Sequence, residues 1–145
     1  MKKTKPAPVT TAETEKDLCI LIGEAEKINP HSTGLLYWEM TDNLDGERGL
    51  RITTNDSGGL FSREWIALSA ISGVLKTYAA GDFTSTVLRP LYTSASRNNA
   101  GFLAAILRSP DICLTEEGSG GAFSHRCYPD WEKRLEKLLT FSPSA

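Results

Sequence analysis

Apolar residues recur along this chain with two different spacings, and each spacing predicts a different element. Leu18, Leu21, Ile22 and Ala25 stand at offsets of three, four and seven residues, the repeat of one helix face. Thr10 with Glu13 three residues later has the form of a capping box ahead of that helix. Asn29-Pro30 stops it, since the residue before a proline is pushed out of the helical region. After the His31-Ser32-Thr33-Gly34 linker the pattern changes. Leu35-Leu36-Tyr37-Trp38-Glu39-Met40 is aromatic and aliphatic, Leu50-Arg51-Ile52-Thr53-Thr54 alternates, and Asp42, Asn43, Asp45, Gly46 and Gly49 supply turn chemistry, which together predict a β-hairpin.

The second half of the chain repeats this mixture. Ser62 offers a cap for a helix with Glu64 in its first turn, a Phe61 to Ile66 staple, and Ala67, Ile71, Val74, Leu75 and Tyr78 facing inward before Gly81. From Phe83 to Leu107 the pattern is helical at both ends, but Pro90 divides it into two pieces, the second capped within Ser96-Arg97-Asn98-Asn99 and carrying Phe102, Leu103, Ile106 and Leu107. Ile112 to Thr115 and Ala122 to Cys127 flank Gly118-Ser119-Gly120-Gly121 and read as a second hairpin. Asp130 then caps a last helix with Trp131, Leu135, Leu138 and Leu139 on one face. The expectation is an α+β fold, short antiparallel hairpins packed on four or five helices. A Lys/Pro/Thr-rich flexible tail occupies residues 1–9, one domain residues 10–141, and a frayed end residues 142–145.

Composition narrows the functional classes. A chain of 145 residues, 40% hydrophobic and 23% charged, matches one ordinary domain, and a net charge of -2 provides no general attraction to nucleic acid or anionic lipid. Met1-Lys2-Lys3-Thr4-Lys5 is followed by Pro6, Pro8 and Thr10 where a signal peptide needs an apolar stretch, and no window approaches the roughly 18 apolar residues of a spanning helix. Cys19, Cys113 and Cys127 are odd in number and suit reduced thiols, so a cytoplasmic protein is expected.

Several residue groups invite chemistry. The segments at Ile52–Ser62 and Leu114–Ser124 align at a shift of 62 positions, through Ser-Gly-Gly-x-Phe-Ser, and each is expected to lead into a helix. Similar turn chemistry explains the likeness better than a duplication, and neither glycine turn matches a phosphate-binding fingerprint. His125 and Cys127 share a strand face and Cys113 stands across the expected hairpin, a conceivable three-ligand metal set without the paired knuckles of structural zinc sites. Glu116 and Glu117, or Asp42, Asp45 and Glu47, are acidic pairs in turns, where solvation accounts for them. Trp38, Trp65 and Trp131 read as packing residues, and Tyr37 as an interface anchor if exposed. Arg89, Tyr92, Arg97, Asn98, Asn99 and Arg108 form the one stretch with several bases and no acid, and they are the preferred binding surface.

Tyr37-Trp38-Glu39-Met40, then Leu50-Arg51-Ile52, then a helix containing Ser69-Ala70-Ile71-Ser72-Gly73 resembles the plasmid-borne anti-restriction family that inhibits type I restriction systems. The likeness covers residues 35–75, with a shorter spacing between the first two motifs and without the family's Asn-Gly-Gly-Phe segment. It implies a non-catalytic inhibitor of a host defence complex, carried on a mobile element, and transfers no catalytic residue. The sequence thus leads to a protein-binding factor that needs no cofactor and has a protein partner. A small metal-dependent or nucleic-acid-acting enzyme built on Cys113, His125 and Cys127, or on the Arg89 to Arg108 stretch, is the alternative.

Overall fold

Four strands, β1 (Leu18–Glu26), β2 (Leu35–Asp42), β3 (Arg48–Asn55) and the short β4 (Ile66–Ala67), pair antiparallel in chain order. They belong to a computed structural model that describes residues 18–29, 34–56, 61–93 and 98–143. The expected hairpin is β2 with β3. Its turn is held by Asn43, whose Oδ1 accepts the N–H groups of Asp45 and Glu47 at 3.0 and 2.9 Å, while Gly46 takes a φ of 79°.

The helix expected across Leu18 to Ala25 is instead strand β1. A register shift between Cys19 and Leu21 leaves Ile20 as an extra residue in the ladder. Leu21, Gly23 and Ala25 then pair with the core-facing Met40, Trp38 and Leu36, and Ile20 is buried as well. One extra residue shifts the phase of a period of two, and the apolar positions that result mimic a helical repeat. The capping box at Thr10 and Glu13, the tail and the His31-Ser32-Thr33 linker lie outside the described residues.

Helix α1 spans Leu68–Tyr78 and starts later than the Ser62 cap predicted. Ile66–Ala67 pairs with Gly49–Leu50 as β4, and the Ser62 hydroxyl accepts the Glu64 N–H at 3.0 Å within an extended segment, so the Phe61 to Ile66 staple has no helix start to close. Trp65 crosses to the outer sheet face, where its Nε1 donates to Thr41 Oγ1 at 3.0 Å and its ring covers Gly49. The next stretch is in two pieces as expected, a 3-10 helix at Ser85–Leu91 and α2 at Asn98–Arg108, but Pro90 lies inside the first piece and does not mark the break.

The second hairpin joins β5 (Thr115–Gly118) to β6 (Gly121–Cys127). Its first strand starts at Thr115 and not Ile112, because Cys113 adopts a left-handed φ of 51° while Ile112 and Leu114 turn into the core. Asp82 secures the turn by accepting both the backbone N–H and the hydroxyl of Ser119, which holds its carboxyl below the usual range. Phe123 and Ser124 lie inside β6, so the second Ser-Gly-Gly-x-Phe-Ser copy does not lead into a helix as expected. Residues 57–60 of the first copy are outside the described ones.

Helix α3 (Trp131–Thr140) follows Asp130, which makes no cap bond and instead accepts from Arg134 Nε at 2.9 Å. Three α-helices and one 3-10 helix are thus present among the described residues. Leu36, Trp38, Met40, Leu50 and Ile52 on one sheet face meet Leu68, Ile71 and Leu75 of α1, Leu88, and Leu103, Ile106 and Leu107 of α2 in one buried cluster. No helix among the described residues is long and apolar enough to cross a membrane.

Candidate functional site

Part of the expected surface from Arg89 to Arg108 is drawn into the fold. Arg89 and Asn98 are exposed, and Arg97 lies outside the described residues. Tyr92 is half-buried, and burial with the nearby Glu64 pushes its hydroxyl far above the ordinary tyrosine range. Asn99 is 1% exposed, and its Oδ1 accepts the Ser62 N–H at 2.9 Å. Arg108 turns onto the second hairpin, where Nη1 donates to the Ala122 carbonyl at 2.9 Å and to His125 Nδ1 at 3.3 Å, and Nη2 reaches Glu117 at 3.5 Å. Arg108 and the Asn99 side-chain oxygen are therefore spent on the fold, while the buried Asn99 Nδ2 has no hydrogen-bond partner among the described residues.

Cys113, His125 and Cys127 do not converge either. Cys127 stands opposite Thr115, and His125 opposite Glu117. The Cys113 sulfur receives Arg134 Nη1 at 3.1 Å, and that guanidinium lies 4.0 Å above the Tyr128 ring. Burial pushes the Cys127 thiol up to about 11. Burial, then Arg108, pushes His125 down to about 4. Since Arg108 donates to Nδ1, the neutral ring carries its proton on Nε2. Among the described residues no three His, Cys, Asp or Glu side chains lie together as metal ligands. The turn carboxylates have structural partners: Asp42 pairs with Arg48 at 2.8 Å, Glu116 with Arg126 at 3.1 Å, and Glu47 accepts from Ser69 at 2.8 Å.

A cleft of about 660 Å³, within the size range of ligand sites, opens where the end of β1 meets the end of α2 and the second hairpin. β1 and the residues after it supply Glu24 to Ile28, α2 and its exit supply Ala105, Arg108, Ser109, Pro110 and Asp111, and the hairpin supplies Glu117 and Ala122. Glu24, Glu26, Asp111 and Glu117 are the acidic residues of its lining, beside the apolar Ala25, Ile28 and Leu35. Two cations oppose them. Arg108 is held by the hairpin as described, and the Lys27 ammonium lies 5.7 Å over the Phe102 ring. Four acidic residues against two basic ones leave the lining with a formal charge of -2.

β1 is also the outermost strand of its sheet, and no described strand pairs with its free edge. Ile22 is 70% and Leu18 60% exposed. Pairing with β2 sets Ile22, Glu24 and Glu26 in one row opposite Glu39, Tyr37 and Leu35, on the face turned away from the helices. Sequence reasoning missed this site because it assigned the stretch to a helix. The available signal was Gly23-Glu24-Ala25-Glu26, a strict alternation of small and acidic residues.

No protein family, curated protein or solved structure matches the chain in comparisons of sequence and fold.

Proposed function

We propose that this chain is a non-enzymatic protein-binding factor whose contact surface centres on the outer edge of β1. The observation that supports this reading is a nine-residue edge strand whose outer side no described strand pairs, with Leu18 and Ile22 exposed along it. Unpaired strand edges are a recurrent template for strand addition by another chain, and proteins that do not use them blunt them with short strands, prolines or lysines. β1 is long and carries no proline or lysine within Leu18–Glu26, although the bulge at Ile20 and the charges of Glu24 and Glu26 restrict which strand can pair with it. An acidic cleft beside the strand also disfavours a nucleic-acid backbone as its occupant.

The target follows from the resemblance over residues 35–75. Its two strand motifs lie side by side as β2 and β3, with Trp38 opposite Ile52, Glu39 opposite Arg51 and Met40 opposite Leu50. On this reading the partner is a host defence complex of the type I restriction class, and the chain is an inhibitor carried on a mobile element. Affinity capture from a host lysate tests the first part. One stable stoichiometric complex is expected with the full chain, and none with Ile22→Lys, which places a charge on the exposed row. Failure to recover a complex, or one indifferent to Ile22→Lys, counts against it. Producing the chain in cells that restrict unmodified phage tests the second part: plating efficiency is expected to rise, and no change removes the restriction target.

A further inference from the structure

Resting on the reading just proposed, the chemistry of the partner segment can be specified from β1. No described strand pairs with the outer edge of β1, and its outward row runs Ile22, Glu24, Glu26. Residues two apart on a strand share a face, and a residue directly opposite on an added strand brings its Cβ to within about 4.5–5.5 Å. Carboxylates at alternate positions are therefore met by cations at alternate positions, while an apolar side chain is met at Ile22. The other acidic residues of the neighbouring cleft are Asp111 and Glu117, the latter paired with Arg108 at 3.5 Å, and the Lys27 ammonium lies over the Phe102 ring.

We infer that the occupant of the β1 edge is an extended segment of a partner protein with the pattern basic-x-basic-x-apolar, added antiparallel as a further strand with its cations over Glu24 and Glu26. Antiparallel addition gives the stronger ladder and fixes the direction in which the pattern is read. The intervening side chains face the other way, toward Gly23 and Ala25, and must be small or slender. Like charges placed directly opposite are destabilising, so the row also rejects acidic strands.

The test titrates the full-length protein with a blocked heptapeptide, Thr-Lys-Val-Lys-Val-Ile-Thr, and with the same peptide carrying glutamate in place of both lysines. The lysine peptide is expected to bind at least about tenfold more tightly and to slow amide exchange across residues 18–26. Reversing both carboxylates, Glu24→Lys with Glu26→Lys, is expected to invert the preference between the peptides. Both positions are exposed, and retained circular dichroism shows that the variant folds. Absence of binding, equal affinity for both peptides, protection elsewhere than β1, or a preference unchanged by the reversal overturns the inference. So does self-association of the free protein that Ile22→Lys abolishes, since the edge then belongs to a second copy. A lysate complex lost in Ile22→Lys but kept in the charge-reversed variant would leave the protein-binding reading intact and refute the charge pattern. Peptide binding that inverts as expected, with no lysate complex, would do the opposite.

Discussion

Gly23 shows how much one missing side chain can decide. It lies opposite Trp38, and the indole, 1% exposed, fills the space that a Cβ on Gly23 would need. A strand glycine is ordinarily a weakness, so alanine at a free surface position would help. Here the sign reverses: Gly23→Ala is expected to lower stability by about 1–3 kcal/mol, because a fully buried indole cannot step aside cheaply. Gly73 in α1 has open space around it, and Gly73→Ala is expected to raise stability by about 0.5–1 kcal/mol. Urea titrations of the two variants check both directions. The same glycine was a legible warning, since a glycine inside an amphipathic pattern argues for close backbone approach as readily as for a tolerated helical site. Asn99 was less legible. It reads as a cap candidate, yet it is buried and bridges to Ser62, a residue 37 positions earlier that no local pattern connects to it.

Arg48 acts at the scale of elements. Its Nε and Nη2 grip Asp42 at 2.8 and 3.0 Å, and its Nη1 donates to the carbonyls of Leu138 and Phe141 at 2.7 and 2.8 Å. One guanidinium thus joins the β2–β3 hairpin to the last turn of α3, whose carbonyls have no partner within the helix. Arg48→Met keeps the stem and removes the fork, and it is expected to cost about 2 kcal/mol with faster amide exchange in α3. Hydrogen exchange by mass spectrometry reads the second effect. The hairpin itself was visible in the sequence because its strands alternate and its turn residues are self-sufficient, and the division of residues 83–107 into two pieces was visible because Pro90 bars one continuous α-helix. The start of α1 was not visible. Ser62 and Glu64 carry a good cap signature, but Ile66–Ala67 is drawn onto β3, a tertiary pairing that outweighs the local preference.

For the whole molecule, His125, 2% exposed and neutral beside Arg108, is expected to shape the stability curve between pH 6.5 and 4. Its value in the folded protein lies near 4 against 6.5 for a free imidazole, so the unfolded chain takes up the proton first. Stability is therefore complete above about pH 6.5 and erodes as the pH falls toward 4, by about 3 kcal/mol at most. His125→Gln keeps an acceptor for Arg108 and is expected to flatten the dependence of urea stability between pH 6.5 and 4. Asp42 and Asp82, held low by Arg48 and by Ser119, lose their contributions only as the pH drops below about 3.8, outside that window. The α+β mixture was legible from apolar spacing, whereas the acidic cleft was not, because three separate elements bring its walls together. The consecutive order of β1 to β4 also has a kinetic side. Each pairing closes only the connection between neighbours, at small entropic cost, so the sheet can form hairpin by hairpin before α1, α2 and α3 have been synthesised. At the ribosome β1 then waits with β2 on one flank and no described strand on the other, and a molecule that recognises that flank can engage the nascent chain before the last helix exists.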